Sequence, residues 1–312
     1  MPEGPEVTII QRQLHALLGK KYLRSVTPVE GPYATNANPP FSDARANMIK
    51  LNTMAKRNNT AFRLDEVGKK GKLLWFKLSK LVRSVVRDQN PENKKVKTTS
   101  TTLVFASSLG LTGQWTLISE NDAVPKYPRL KLIFADHPKT GPTHTLYYCD
   151  KLSMGKFVIS DQSWLETKLK TLGQDIYGLA EKEFMDAYSN CNVEVYMALV
   201  KQSKISGIGN YLRSEIIEEA RRNIEFDPFV QIKYLTNPQM KALYEAIVKV
   251  SNDVLNNSGV SEASETSYRD TSSKPGHYEL KIYNKSEVIR PGGEKLPVKV
   301  FVDAEKRKFY YT

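Results

Sequence analysis

The sequence predicts an α+β fold with an N-terminal β-sandwich flanked by helices and a C-terminal helical domain that ends in a β-hairpin. Three observations predict it. Short strand-like runs dominate residues 21–160, helical patterns begin at about residue 161, and strand-like runs return near residue 278. A chain of 312 residues is long enough for two domains, each with its own core. We place them at residues 1–160 and 161–312.

An amphipathic helix is predicted at the start of the chain. Apolar residues recur there at helical spacing from Val7 to Leu18, and Gly19 follows as a stop. After this helix, short β-rich runs broken by Gly and Pro predict a sandwich or barrel. The runs are Tyr22–Val29, Thr60–Asp65, Lys72–Leu78, Thr102–Phe105, Trp115–Ile118, Leu130–Ala135, His144–Cys149 and Lys156–Ser160. The polar, charged stretch Arg83–Thr102 predicts an exposed loop or insertion.

The second half of the chain predicts helices and then strands. Four segments have apolar residues at helical spacing, namely Lys182–Ser189, Val193–Lys201, Tyr211–Arg222 and Asn237–Asn256. Residues Tyr278–Thr312 return to a strand-like pattern, with a basic, aromatic run at the end.

Composition and charge narrow the class of protein. The formal net charge of +12 favours a polyanionic partner such as nucleic acid, although a generic basic surface gives the same number. No apolar run approaches the roughly 20 residues of a membrane span, and no signal peptide is evident. Two cysteines, Cys149 and Cys191, are too few for a disulfide framework or a four-cysteine zinc site. We therefore expect an intracellular, reducing compartment.

The second residue, Pro2, carries the first chemical hypothesis. Removal of Met1 would leave Pro2 with a free secondary amine, which forms an iminium directly when it attacks an aldehyde-like carbon. Burial and the positive end of the following helix would lower the pKa of this amine. Glu3 could protonate a leaving or ring oxygen. The alternative interpretation is an extended terminus that happens to contain prolines.

A glycine-punctuated motif links two predicted helices. Residues 202–215 read Gln-Ser-Lys-Ile-Ser-Gly-Ile-Gly-Asn-Tyr-Leu-Arg-Ser-Glu, which is typical of a helix–turn–helix type element. Gly207 and Gly209 allow close approach of a partner, and we expect Asn210 to cap the next helix. Amide groups exposed at that helix start would bind a phosphate. The alternative is an ordinary turn between helices.

Together these motifs resemble the Fpg/Nei family of formamidopyrimidine-DNA glycosylases and endonuclease VIII-like enzymes. The resemblance rests on the N-terminal Met-Pro-Glu-Gly-Pro-Glu, the β-rich half after it, and the Gly-Ile-Gly-Asn-Tyr-Leu-Arg-Ser-Glu segment between helices. It covers nearly the whole chain in the same order and approximate spacing. The sequence Asn-Tyr-Leu-Arg at residues 210–213 is more similar to the endonuclease VIII branch than to the formamidopyrimidine branch.

The resemblance implies roles for individual residues. It makes Pro2 the nucleophile, Glu3 the acid and Glu6 a supporting carboxylate. Lys72, in Lys-Gly-Lys-Leu-Leu, would contact the phosphate beside the lesion, with a solvated hairpin lysine as the alternative. Asn210 would bind phosphate from a helix–two-turns–helix element that covers about residues 182–258.

Two apolar loops also resemble DNA-contacting segments of the family. Leu111, in Leu-Gly-Leu-Thr-Gly, would fill the gap left by a flipped base, with a core leucine as the alternative. The family's Asp-x-Arg-Arg-Phe-Gly segment corresponds to residues 150–155, where the arginine that faces the orphaned base is absent. Leu152 or Met154 would then act as an apolar filler.

The C-terminus departs from most of the family, whose members end in a four-cysteine zinc finger. No cysteine follows Cys191, yet Val298–Asp303 and Arg307–Tyr311 keep a hairpin pattern, and Arg307 lies where the phosphate-binding arginine is expected. The pattern resembles a zincless finger at about residues 282–312, held by hydrogen bonds and aromatic packing. A plain basic tail is the alternative. We predict no zinc.

The resemblance implies a bifunctional DNA glycosylase/AP lyase that excises oxidised bases, with pyrimidines favoured, and cleaves the strand by β,δ-elimination. It implies no cofactor, a monomer, and damaged DNA, duplex or single-stranded, as partner; the DNA-containing compartment is either the nucleus or the nucleoid and cytoplasm. Two alternatives stay open: a non-catalytic DNA-binding protein of the same fold, and a tautomerase that uses an N-terminal proline as a general base.

Overall fold

The computed structural model describes residues 2–57, 62–87, 94–119, 121–261, 268–290 and 292–312. Its contacts divide the chain into two compact units. The first consists of Gln11–Gly68 and Leu74–Thr167, and the second of Met1–Ile10, Lys69–Leu73 and Lys168–Thr312. Two short segments that precede the predicted boundary therefore group with the later part of the chain. The boundary between residues 160 and 161 stays a prediction about independently folding domains.

The described residues form the following helices and strands. The α-helices are α1 Gly4–Leu18, α2 Pro32–Thr35, α3 Phe41–Arg57, α4 Gln162–Lys170, α5 Glu181–Tyr188, α6 Val195–Ala198, α7 Asn210–Arg221 and α8 Asn237–Asn256, with a 3-10 turn at Ile232–Tyr234. The strands are β1 Tyr22–Pro28, β2 Phe62–Lys70, β3 Leu73–Arg87, β4 Lys94–Ser108, β5 Gly113–Ile118, β6 Pro128–Ala135, β7 His144–Asp150, β8 Lys156–Ser160, β9 Gln174–Asp175, β10 Ile205–Ser206, β11 Glu287–Ile289, β12 Lys295–Pro297, β13 Lys299–Val302 and β14 Lys308–Tyr311.

The first eight strands form one sheet in the order β5-β7-β6-β1-β2-β3-β4-β8. Trp115 on the edge strand β5 is fully buried, and its ring centroid lies 5.2 Å from that of Phe76 on β3 and 6.2 Å from that of Phe157 on β8. Strands from opposite ends of the order thus face each other across an aromatic core. The sheet folds over itself, and the predicted α+β fold with an N-terminal β-sandwich is confirmed.

Two local predictions were wrong. Helix α3 was not predicted, although Ala44, Met48 and Leu51 are buried at helical spacing, because most of its other residues are polar. The stretch Arg83–Thr102 was predicted to be an exposed loop or insertion; its described residues continue strands β3 and β4, which excludes a loop there, and residues 88–93 lie outside the described residues. Backbone pairing between neighbouring strands does not require apolar side chains, so the polar composition did not mark the strand ends.

The second unit is built on helices α7 and α8. Their inner faces are buried in a cluster that also contains Phe184 and Tyr188 of α5. Val288 of β11 and Phe309 and Tyr310 of β14 belong to the same cluster, so the C-terminal hairpins pack on the helical core. The four predicted helices of this region are found, the second of them shorter than predicted. Within the described residues, no helix is long and apolar enough to span a membrane.

Candidate active site

The carboxylate of Glu3 occupies the N-terminus of helix α7. It accepts hydrogen bonds from the backbone amides of Gly209 at 2.7 Å, Tyr211 at 3.2 Å and Leu212 at 3.3 Å. A carboxylate is favourable at this position because the first amides of a helix have no partners within it and the helix dipole is positive there. The predicted cap by Asn210 is wrong: α7 begins at Asn210, and Gly209 precedes it without a side-chain cap. In the structure these three amides bind Glu3.

Backbone contacts fix the N-terminal segment against the turn before α7. The amide of Gly4 donates to the carbonyl of Gly207 at 2.9 Å. Gly207 has a φ of +116°, which favours glycine. A Cβ on Gly209 would lie 2.1 Å from both Glu3 Oε1 and Lys72 Nζ. The predicted close approach at these glycines is thus made by the chain's own N-terminal segment.

Glu6 forms a second buried carboxylate beside Glu3. Its Oε2 accepts from the Glu3 amide at 2.9 Å, and its Oε1 accepts from the Tyr211 hydroxyl at 2.7 Å. Both glutamates are fully buried. Sequence reasoning missed Tyr211, although it lies next to Asn210 in the motif, because nothing in the spacing marks a hydroxyl partner for Glu6.

Burial dominates the ionisation of this cluster. Desolvation raises the pKa of Glu3, while the charge of Lys72 and the amides of Gly209 and Leu212 oppose the rise. Desolvation also raises the pKa of Glu6 against the hydrogen bond from Tyr211. The pKa of the Tyr211 hydroxyl lies well above its usual value because the side chain is buried next to two carboxyl groups. Burial therefore shifts the pKa of both carboxyl groups above that of an exposed glutamate.

Lys72 reaches this cluster from the turn between β2 and β3. The turn is held by Asp175, whose Oδ2 accepts from the Gly71 amide at 2.6 Å and whose Oδ1 pairs with Lys69 Nζ at 2.8 Å. Gly71 has a φ of +56°, as a tight turn requires. Pro2 is buried next to Glu3 in the same unit. The structure therefore brings Glu3 and Lys72 together, with Pro2 next to Glu3 in the chain, and their catalytic roles stay predictions.

Asn210 lies at the start of α7 with half of its amide unsatisfied. Its Nδ2 donates to the Tyr283 hydroxyl at 3.0 Å, whereas the buried Oδ1 has no hydrogen-bond partner among the described residues. Tyr283 belongs to a segment whose backbone is fixed by Glu215, which accepts from the amides of Lys281, Ile282 and Tyr283 at 2.9–3.0 Å. Sequence reasoning missed Tyr283, which is distant along the chain.

Comparison with models of known protein families identifies the family of this chain. A family model described as the formamidopyrimidine-DNA glycosylase N-terminal domain matches residues 1–157, half of the chain. The chain belongs to the formamidopyrimidine-DNA glycosylase family. It is accordingly a DNA glycosylase of base excision repair.

Individual relatives are similar along most of their length. A formamidopyrimidine-DNA glycosylase of Listeria innocua is 24% identical over 294 residues, which cover 92% of this chain and 89% of the relative. The complex between the Lactococcus lactis Fpg and abasic-site DNA has a TM-score of 0.72 at 17% identity and covers 99% of this chain and 97% of that one. The MutM (Fpg) protein from Thermus thermophilus has a TM-score of 0.71 at 22% identity, with coverages of 100% and 97%. These structures support the fold.

The C-terminal hairpin of this glycosylase is held by an ion-pair network. Asp303 Oδ2 accepts from Arg307 Nε at 2.9 Å and from both terminal nitrogens of Arg213 at 3.4 Å, while Oδ1 accepts from the amides of Glu305 and Arg307 at 2.9 Å. Arg213 lies over the rings of Tyr196 and Phe309, at 5.5 and 5.4 Å from their centroids. Sequence reasoning missed both Asp303 and Arg213.

The hairpin does not fit the zinc finger that most of the family carries. Strands β13 and β14 contain no cysteine or histidine, and the chain's two cysteines, Cys149 and Cys191, lie elsewhere. No group of three or more metal-binding side chains exists within the part of the chain that the structure describes. Aromatic rings pack on the hairpin instead: Phe309 stacks on Tyr196 at 5.2 Å and on Tyr311 at 5.4 Å. These residues offer no zinc ligand set.

The three apolar residues that were predicted to contact DNA lie in the β-sandwich unit of this glycosylase. Leu111, Leu152 and Met154 expose 38%, 52% and 53% of their surface. Their loops are joined by a hydrogen bond from the Leu152 amide to the Thr112 hydroxyl at 3.0 Å. A core position for Leu111, the alternative to a DNA contact, does not agree with this exposure.

Proposed function

We propose that this chain is a bifunctional DNA glycosylase/AP lyase that excises oxidised pyrimidines through a Schiff base on Pro2. The observation that carries the proposal is the cluster at the start of helix α7, in which the buried Glu3, next to the buried Pro2, lies beside the partly exposed Lys72. This cluster supports the proposal because a nucleophile, an acid and a cation are the set that covalent excision of a base requires.

The proposed chemistry begins at the amine of Pro2, freed by removal of Met1. The amine attacks C1′ of the damaged nucleotide, and its proton leaves with the base when the bond from C1′ to the base breaks. Glu3 donates a proton to the sugar ring oxygen, so the ring opens and the nitrogen forms an iminium with C1′. The iminium accepts the electron pair left when the C2′ proton is removed, and the 3′ phosphate leaves by β-elimination. A δ-elimination then releases the 5′ phosphate, and hydrolysis of the iminium frees the amine.

The environment of Glu3 supports its role as the acid. A carboxyl group can donate a proton near neutral pH only if its pKa lies above the ordinary value, and desolvation raises the pKa of Glu3. The three backbone amides that hold the group also fix its direction. Glu6 shares the site and would support Glu3 through the hydrogen bond from the Glu3 amide.

We assign phosphate binding to Lys72, Asn210 and Arg307. The net charge of +12 supplies attraction for DNA, and the unsatisfied Oδ1 shows that the amide of Asn210 has unused hydrogen-bonding capacity. Because a phosphate accepts hydrogen bonds, Asn210 would bind it through Nδ2 after releasing Tyr283, or after rotation of the amide. Preference for oxidised pyrimidines is supported by the resemblance of Asn210-Tyr211-Leu212-Arg213 to the endonuclease VIII branch.

Borohydride trapping tests the proposal. The protein is produced behind a cleavable tag that leaves Pro2 as the first residue, and cut and uncut samples are incubated with duplexes that carry thymine glycol, 5-hydroxyuracil, 8-oxoguanine or an abasic site. We expect a trapped adduct only after cleavage of the tag, with faster excision of the pyrimidine lesions. Peptide mapping of the adduct should locate it at Pro2, and Pro2→Gly should reduce its yield.

The matched control is Lys72→Ala, which removes the other amine of the site. It should still be trapped at Pro2 at saturating protein concentration. Equal adduct from uncut protein, or an adduct mapped to Lys72, would contradict the role of Pro2. Tight binding of lesion duplexes without excision by any sample would favour a non-catalytic DNA-binding protein of this fold.

A further inference from the structure

The C-terminal hairpin has one covered strand and one open strand. In β14, Phe309 and Tyr310 are buried in the helical core, and the Tyr310 amide donates to the Ser214 hydroxyl at 3.2 Å. Strand β13 pairs with β14 in antiparallel register, with Val300 opposite Tyr310. Within the described part of the chain, no other strand pairs with β13. Strand β13 is therefore the edge strand of the hairpin.

The register shows which backbone groups of β13 face this open edge. Paired residues of an antiparallel ladder alternate between those that exchange hydrogen bonds and those that do not. Because the Tyr310 amide donates outside the ladder, Val300 and Tyr310 form a pair of the second kind. Val302 lies two positions further and has the same orientation. The next pair agrees with this, since the Asp303 amide donates to the Arg307 carbonyl at 3.0 Å. The N–H and C=O groups of Val300 and Val302 thus point away from β14.

The side chains of β13 are exposed although most of them are apolar. Val300, Phe301 and Val302 expose 49%, 37% and 55% of their surface. The Phe301 ring lies 5.3 Å from that of Phe229, between centroids, so this face of the strand rests on the helical unit. Val300 and Val302 lie on the other face. Proteins commonly protect an open edge with a charge, a proline or a bulge, and residues 300–302 contain none of these.

The charges around this edge are mainly positive. Lys299 at the start of β13 and Lys308 of β14 are exposed, and the two strands contain no acidic residue. In the turn between the strands, Asp303 is buried and Glu305 pairs with Arg307 at 3.0 Å. An acidic partner would therefore be attracted to the edge, whereas a second copy of this chain, with its net charge of +12, would be repelled.

We propose that the open edge of β13 binds an extended, acidic segment of another protein, which adds a third strand to the hairpin. A peptide backbone offers both donors and acceptors, as the edge requires, and its alternate side chains can cover Val300 and Val302. DNA fits less well because phosphate oxygens only accept hydrogen bonds, so the two valine carbonyls would stay unpaired. Acidic residues at the ends of the segment would lie beside Lys299 and Lys308. Such binding would not require the proposed chemistry at Pro2.

Hydrogen exchange at the valine amides tests this surface directly. Protein that contains isotope-labelled valine is titrated with heptapeptides in which Val, Ile or Tyr alternates with Thr between terminal glutamates. We expect at least one peptide to slow exchange of the Val300 and Val302 amides by about tenfold when about nine-tenths of the protein is bound, because only free protein exchanges there. The Val298 amide already donates to the Ser286 carbonyl at 2.9 Å and should keep its exchange rate.

Peptide controls separate strand pairing from charge. N-methylation of the central residues removes the donors of the peptide and should abolish the protection of both amides. Lysine in place of the terminal glutamates should weaken binding by about threefold or more, and added salt should reduce this difference. Failure of every acidic peptide to protect Val300 and Val302, or equal binding of the lysine peptides at low salt, would overturn the inference.

Substitutions at Val300 assign the binding to this edge. Val300→Pro removes an outward N–H without removing a ladder bond, so the hairpin should fold while peptide binding weakens by about tenfold or more. Val300→Thr keeps the N–H and the β-branched shape, and its peptide affinity should change by less than about twofold. Unchanged peptide affinity in folded Val300→Pro would overturn the inference.

A second pair of variants leaves the backbone intact in case Val300→Pro lowers the melting temperature. Val302→Glu places a negative charge on the edge and should repel the acidic peptides, whereas the neutral Val302→Gln should bind them more tightly than Val302→Glu by about threefold or more. Equal affinities of these two variants would also overturn the inference.

Two other occupants of the edge are outcomes of the same measurements. Protection of the Val300 and Val302 amides by undamaged duplex would make the edge a DNA-binding surface and overturn the inference. Protection that rises with protein concentration without peptide, together with a dimer in sedimentation that Val300→Pro abolishes, would make the edge an interface between copies of the chain. That result would overturn the inference as well.

Discussion

At the scale of single residues, Glu3 experiences two opposing effects. The backbone amides at the start of α7 and the nearby Lys72 favour its ionised form, whereas complete burial and the neighbouring Glu6 disfavour it. Desolvation is the largest of these effects, so the pKa rises in spite of the amides. A carboxyl group that only capped a helix at the surface would have its pKa lowered by the same amides.

The pH dependence of excision should follow from this residue. In the proposed mechanism the acid form of Glu3 is the active form, so the single-turnover excision rate should fall as pH rises through its raised pKa. Glu3→Gln should lower that rate by roughly 100- to 10,000-fold and remove this limb of the pH profile. Cleavage of a preformed abasic site, which requires no expulsion of a base, should decrease less.

A second buried glutamate provides the control. Glu215, which lies in helix α7, also has a raised pKa because it is buried. Its hydrogen-bond partners are the amides of Lys281–Tyr283 and the Tyr278 hydroxyl. The folded fraction of Glu215→Gln should keep the falling limb. Loss of the limb in Glu215→Gln, or its persistence in Glu3→Gln, would assign it to another group.

At the scale of elements, the turn before α7 leaves no room for a side chain at Gly209, next to Glu3. A Cβ on Gly209 would meet the ends of two side chains, Glu3 Oε1 and Lys72 Nζ, at 2.1 Å. The Glu3 carboxyl group would have to leave the backbone amides that hold it, whereas the backbone of Gly209 has a φ of −128° that other residues adopt. Gly209→Ala should therefore fold but displace the acid and the cation.

We expect Gly209→Ala to reduce excision by about 100-fold, the effect of misplacing catalytic groups by about 1 Å, with a small change in melting temperature. Gly141→Ala is the matched control, since no atom lies within 4 Å of its added Cβ. A melting temperature that falls in proportion to activity would indicate unfolding as the cause.

The stability of the C-terminal hairpin should depend on Asp303. This carboxylate is buried and pairs with Arg213 and Arg307, so its replacement leaves the fully buried Arg213 without an anion. Asp303→Asn should destabilise the unit by about 3 kcal/mol in denaturant unfolding and weaken DNA binding through Arg307. Glu305→Gln, at a largely exposed partner of Arg307, should change stability by less than about 0.5 kcal/mol. Equal effects of the two substitutions would contradict the special role of Asp303.

Elements with strong periodicity were predicted well from the sequence. Helix α8 was placed at its observed bounds, because Thr236 and Pro238 mark its start and apolar residues recur along its length. Helix α3 was not recognised, and of β3 and β4 only Lys72–Leu78 and Thr102–Phe105 were predicted, because polar residues dominate the rest and their structure depends on neighbouring strands and tertiary packing.

Within the candidate site, sequence motifs pointed to Pro2, Glu3 and Lys72, whose roles stay predictions. The site was not predictable where distant residues meet. The bond of Asn210 to Tyr283 spans 73 positions and that of Arg213 to Asp303 spans 90, and no local pattern encodes such pairs. The error at Asn210 has the same origin: the cap of α7 comes from a residue more than 200 positions earlier.

At the scale of the whole molecule, function should be independent of bound metal. The hairpin is held by ion pairs and aromatic stacking, so dialysis against EDTA and 1,10-phenanthroline should leave both the melting temperature and the yield of trapped adduct unchanged. A four-cysteine member of the family, treated in parallel, should lose stability. A fall in melting temperature that added zinc restores would contradict our account of the hairpin.

The bond between the Gly209 amide and Glu3 joins residues 206 positions apart. Translation proceeds at about 5–20 residues per second, so roughly 10–40 s pass between synthesis of Glu3 and synthesis of the turn at Gly209 that binds it. During that interval the N-terminus of the nascent chain is accessible to an aminopeptidase, and in the folded protein Pro2 is buried. Timing on the ribosome would thus decide which molecules mature with a working amine.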